Sequence, residues 1–117
     1  AGFNSVDKDL QPLKEARRHY ERFLEEAPRM RQRSDPAPKY VDGLLPTVRE
    51  HLASVYRRML EKELRTAEYY DWKNLPRSAR LSYRAILKEE VSFRRMLPDF
   101  PETEAVRKAR ERLQGAP

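Results

Sequence analysis

Of the 117 residues, 38% are charged and 38% apolar, where a typical globular domain has about a quarter charged; at a mean hydropathy of −0.98 one small domain is expected, its core dependent on well-packed long helices. Lys and Arg number 25 against 19 Asp and Glu, a net charge of +6 that favours nucleic acid, anionic lipid or an acidic protein surface as partner. The chain has no cysteine, which excludes disulfides, thiolate zinc sites and thiol catalysis; no apolar run nears the roughly 18 residues of a membrane span, and the opening AGFNSVDKDL lacks signal-peptide regions, so the chain as given is expected to be soluble.

Apolar residues recur at helical spacing. Asp9 suits an N-cap and Pro12 the first turn of a helix. Leu10, Leu13, Ala16, Tyr20, Phe23, Leu24 and Ala27 follow at steps of three and four, and Pro28 is expected to end that helix. The stretch RMRQRSDPAPK has two prolines, four basic residues and no period, so it reads as an exposed loop. A second helix is expected from near Leu44–Pro46 to about Trp72, with Val48, Leu52, Val55, Tyr56, Met59, Leu60, Leu64, Ala67 and Tyr70 on its apolar stripe. Its other face, Glu50, Ser54, Arg57, Glu61, Arg65 and Glu68, alternates in charge at helical spacing and reads as solvated and self-paired.

Asn74 suits the cap of a third helix with Pro76 in its first turn, running to about Leu97 before Pro98 and Pro101. A short fourth helix from about Glu102 to Leu113 carries Val106, Ala109 and Leu113 on one side, with Gly115 just past its end. No segment alternates with period two, so no strand is expected. The fold class is all-α, built of successive antiparallel helices. Helices 2 and 3 are expected to form the core hairpin, with Leu52, Tyr56, Leu60, Leu64, Tyr83, Ile86 and Phe93 buried.

Signals for chemistry are weak. His19 and His51 have no His or Cys partner at ligand spacing, so no metal site is expected. The adjacent carboxylates Glu25–Glu26 and Glu89–Glu90 belong to charged helix faces. Three glycines in all leave no phosphate-cradling loop. Neither catalytic residues nor a cofactor follow from the sequence, and binding is the function left. No nucleic-acid motif appears, and the aromatics sit mostly on apolar faces rather than on stacking platforms.

Ala16, Tyr20, Phe23 and Pro28 follow the spacing A-x3-Y-x2-F-x4-P, similar to the second helix of a tetratricopeptide repeat. Phe93, Met96 and Pro101 repeat that ending, with Glu89 where the small residue belongs. Three stretches in order resemble the C-terminal half of the BamD (ComL) family of outer-membrane β-barrel assembly lipoproteins: VDKDLQPLKEARRHYERFLEEAP, ELRTAEYY and FRRMLPDFPETEAVRKA. Glu63, Ala67, Glu68, Tyr69 and Tyr70 are the most specific part of the match.

The resemblance implies an α-solenoid of repeat hairpins in one domain: residues 1–28 end one repeat, 29–43 form an inserted loop, 44–101 a long helical hairpin and 102–117 a C-terminal helix. It further implies a non-enzymatic scaffold at the periplasmic face of the bacterial outer membrane, docking a POTRA region of BamA. Other assembly lipoproteins and unfolded outer-membrane proteins follow as further partners. The family's lipid anchor lies outside the sequence given. An unrelated helical-repeat interaction module and a basic RNA-binding helical domain are the alternatives.

The candidate docking residues lie around the third helix. At about 100° per residue, Arg77, Arg80, Arg84, Lys88 and Arg95 fall within a sector of about 80°. Ala79, Tyr83, Ile86, Phe93 and Leu97 lie opposite. Glu90 interrupts the apolar side, and Val91 falls inside the basic stripe. With Ser92, Tyr69 and Trp72 at its edges, this stripe is expected to meet an acidic patch on the partner, while Tyr70 is expected in the core.

Overall fold

The computed structural model describes residues 2–32 and 37–115, with side chains described from residue 10 onward except those of 33–38. It contains four helices: α1 (Gly2–Arg31), α2 (Ala37–Trp72), α3 (Pro76–Met96) and α4 (Glu104–Gly115). No strand occurs among the described residues, so the all-α class expected from the sequence holds. The chain divides into two compact units, Ala1–Tyr56 and Arg57–Pro117, with the boundary inside α2.

In the first unit Ala27 of α1 packs with Val41 and Leu45 of α2, flanked by Phe23, Leu24 and Met30. Tyr56 is fully buried. Its hydroxyl donates to the Glu21 carboxylate, which also accepts from Arg17 Nε at 2.8 Å. Burial, and then the Glu21 carboxylate, push the Tyr56 phenol far above its ordinary range. Arg31 pairs with Asp42, and the Tyr20 hydroxyl meets His51 Nδ1 at 3.3 Å.

Three boundaries differ from the sequence expectation, and prolines are the cause. α1 begins at Gly2 and runs through Pro12 and Pro28 to Arg31. Asp9 therefore lies inside the helix instead of capping it, and its side chain is outside those described. α2 begins at Ala37 and runs through Pro46, so most of the expected 29–43 loop is helical; residues 33–36 lie outside the described residues. Proline removes one helical hydrogen bond and pushes on the carbonyl four residues back. All three prolines are exposed, where such a carbonyl can turn to water, and buried neighbours such as Leu13, Ala27 and Leu45 hold the helix on either side.

The second unit combines the end of α2 with α3 and α4, and α3 packs along α4. Met59, Leu60, Leu64 and Ala67 of α2, Ala79, Tyr83, Ile86 and Phe93 of α3, and Ala105, Val106 and Ala109 of α4 are buried. Phe93 and Phe100 meet edge to face at 6.2 Å. All seven residues expected in the core are buried, but Leu52 and Tyr56 belong to the first unit. Tyr70, expected in the core, is half-buried.

The caps differ as well. Asn74 takes a left-handed backbone, φ 62°, which asparagine tolerates better than most residues. It therefore makes the turn, and Leu75 is the N-cap without a side-chain hydrogen bond. α4 starts later than expected, because Thr103 caps it: Thr103 Oγ1 accepts from Val106 N at 3.3 Å and Thr103 O from Arg107 N at 3.1 Å. Gly115 is the last residue of α4 rather than the one beyond it.

Candidate functional site

Pro76 starts α3 with a preset φ, and the buried residues Ala79, Tyr83, Ile86 and Phe93 fix which way the helix faces. The opposite side is then exposed by geometry. Its exposed residues after Pro76 are Arg77, Arg80, Leu81, Arg84, Lys88, Val91, Arg94 and Arg95. Every one is cationic or aliphatic. None is acidic, and none is a neutral polar residue.

Arg94 is held by Glu90 at 3.3 Å. Among the described residues, Arg77, Arg80, Arg84, Lys88 and Arg95 make no ion pair. Five cations in one sector repel one another, and no ion pair among the described residues offsets them. The five expected site cations are thus brought together on one exposed face, with Ser92 half-buried at its margin.

Leu81 was not among the residues singled out from the sequence. It is 67% exposed, and Val91 is 55% exposed. The signal was available, since Leu81 lies four residues after Arg77 and three before Arg84, about 50° from the axis of the stripe.

Tyr69 and Trp72 end α2, 39% and 77% exposed. Their ring centroids are 6.2 Å apart, and Lys73 Nζ lies 5.2 Å from the Trp72 centroid and 5.9 Å from that of Tyr69. This is an aromatic shelf with an ammonium over it, a cation–π arrangement.

A small cleft of about 80 Å³ is lined by Asp71, Pro76, Ala79, Arg80, Tyr83, Arg112 and Leu113. Three of its polar groups, Asp71, Tyr83 and Arg112, satisfy one another. Asp71 accepts from the Tyr83 hydroxyl at 2.6 Å and pairs with Arg112 Nη2 at 2.9 Å. Burial works against the Asp71 charge, but the hydrogen bonds from Tyr83 and Arg112 and the Arg112 charge outweigh it and hold the carboxyl below its usual range. Burial, with the bond to Asp71 and its charge, pushes the Tyr83 phenol up to about 12.

Glu90, expected to leave the apolar side of α3 partly open, is buried. Arg94 reaches it at 3.3 Å and Arg110 at 3.5 Å. Glu63 is half-buried, and burial raises its carboxyl despite a hydrogen bond from Ser82. These groups knit the unit together.

His19 and His51 are both exposed. Among the described residues no group of three His, Cys, Asp or Glu side chains is placed to hold a metal ion, and no helix is long and apolar enough to cross a membrane. No family model, curated protein or solved structure matches this chain.

Proposed function

We propose that the chain is a non-enzymatic docking module whose α3 face binds an acidic surface on another protein. One observation carries the reading: every exposed residue of α3 after Pro76 is cationic or aliphatic, so the charge left unpaired within the chain is supplied by a partner. Arginine dominates the stripe, and its planar fork suits carboxylates better than an ammonium does. The Tyr69–Trp72 shelf adds rigid aromatic area at low entropic cost, as protein interfaces use it.

In its specific form the reading is a BamD-like scaffold at the periplasmic face of the outer membrane, docking a POTRA region of BamA and supporting insertion of outer-membrane proteins. The three sequence stretches support that form. The coarser docking reading stands on the α3 face alone.

The test is co-purification of the chain with POTRA domains and with RNA, at low and high salt. A protein interface with apolar contacts persists as salt rises, whereas phosphate-dominated binding falls steeply. Retention of RNA over POTRA domains, lost at high salt, would turn the assignment to a nucleic-acid module.

A further inference from the structure

The exposed residues Arg77, Leu81, Arg84, Lys88, Val91 and Arg95 are separated by four, three, four, three and four residues. This is the a/d spacing of a coiled-coil seam: Leu81, Lys88 and Arg95 at a, Arg77, Arg84 and Val91 at d. Such spacing keeps one line of side chains facing a neighbouring helix for its whole length, about 27 Å here at 1.5 Å per residue.

The flanks repeat with the same period of seven. On one side stand Ser78, Ala85 and Ser92, all half-buried and all small, so a second helix can approach closely there. On the other stand Arg80, Leu87 and Arg94. Seam and flanks are independent sets of residues, and they agree on one axis.

We propose that α3 is half of a two-helix seam whose other half is an acidic amphipathic helix of a partner protein. Its carboxylates sit opposite Arg77, Arg84, Lys88 and Arg95, and its aliphatic residues opposite Leu81 and Val91. The proposal rests on the docking reading above and specifies what docks.

Charge decides the occupant. A second copy of α3 would set cations against cations, so the seam does not serve self-association. A phosphate backbone would satisfy the arginines but has no counterpart for Leu81 and Val91. A membrane surface wants a wide apolar face, and that face of α3, Ala79, Tyr83, Ile86 and Phe93, is buried. A helix with carboxylates and aliphatics at heptad spacing meets all six seam positions.

The probe is a synthetic helical peptide of about 21 residues, three heptads, with Glu and Leu placed opposite the seam as above. Its control has the same composition in an order that keeps helicity and breaks the heptad. Binding to the full chain is measured by fluorescence anisotropy, alongside a single-stranded RNA of equal length and phosphatidylglycerol vesicles. The heptad peptide is expected to bind at least about tenfold more tightly than the control. L81Q and V91Q together should erase that difference while leaving the control's affinity and the circular dichroism spectrum unchanged.

Equal binding of the two peptides overturns the seam and leaves the docking function standing. Binding of neither peptide, together with loss of POTRA binding, overturns both. RNA or vesicles binding more tightly than the heptad peptide, indifferent to L81Q and V91Q, also overturns the seam and moves the partner to another class.

Discussion

Residues 57–72 of α2 and the whole of α3 are neighbouring helical segments with the same number of charges. The α2 segment carries four basic and four acidic residues, and α3 carries six and two. Four of the chain's six net positive charges therefore sit on one helix. On α2, Glu61 lies four residues from both Arg57 and Arg65, so these three charges alternate in sign at helical spacing. On α3 both acids point away from the exposed stripe, Glu90 being buried and Glu89 half-buried. A self-compensated face is stable in water and asks for nothing, whereas an uncompensated one gains when a partner brings the missing sign. Composition gives only the total charge; the fold shows where charge of one sign gathers on one face.

The largest effect is expected where the comparison loses its frame. Both faces are the outer sides of helices whose inner sides are buried, and Leu60 is fully buried on α2. Leu60→Ala should cost about 2 to 5 kcal/mol, a large part of the about 5 to 15 kcal/mol that holds a small domain. Chemical denaturation measures it. An unchanged midpoint would mean that the buried stripe is misassigned, and the contrast between outer faces would go with it.

A direct test reverses charge on each helix in turn. Arg84→Glu, Lys88→Glu and Arg95→Glu together should weaken POTRA binding at least about tenfold, or roughly 1.4 kcal/mol, with helicity and melting temperature preserved. A compensating reversal on the partner should restore part of the loss. Arg57→Glu with Arg65→Glu should do the opposite. It sets like charges beside Glu61 and costs a few tenths of a kcal/mol of stability per pair, with partner affinity untouched. Equal loss of binding from both variants would leave only net charge as the determinant.

The stripes were legible because burial follows helical period: Leu52, Tyr56, Leu60 and Leu64 on α2, and Ala79, Tyr83, Ile86 and Phe93 on α3, needed only spacing. So did the five cations. Pro28 and Pro46 lie inside helices because packing by neighbours such as Ala27 and Leu45 outweighs a local cost that is all the sequence displays. Leu81 escaped notice because an exposed leucine is unremarkable until the opposite face is known to be occupied. The start of α4 was misplaced because Glu102 precedes the residue that caps. Thr103 is that residue, with its hydroxyl 3.3 Å from Val106 N. Thr103→Ala should cost about 1 kcal/mol, and Thr103→Ser should recover most of it. The cap supports α4, along which α3 packs, so a seam variant combined with Thr103→Ala should show additive effects on stability and binding.

The smallest effect sharpens the account of residues 57–72 of α2, whose four acids are not equivalent. Asp71 has its folded pKa lowered by Tyr83 and Arg112 against the cost of burial. Its contribution to stability is therefore present above its unfolded pKa, about 3.9, and lost as pH falls through the lower folded value. Glu63 has its folded pKa raised, by burial first. Its protonated form favours folding below the unfolded value of about 4.3, and that contribution is lost as pH rises through the folded pKa, so its charged form is a cost at neutral pH. Asp71→Asn should thus lower stability at pH 7 by at most about 1 kcal/mol, with the gap to the parent closing in acid. Glu63→Gln should leave stability at pH 7 unchanged or higher, and its advantage should vanish once the parent's Glu63 is protonated. Denaturation midpoints between pH 3 and 7 follow both. Parallel curves for the two variants would mean that Glu63 and Asp71 share one environment, and the four acids of residues 57–72 would then count alike in the balance that sets this segment apart from α3.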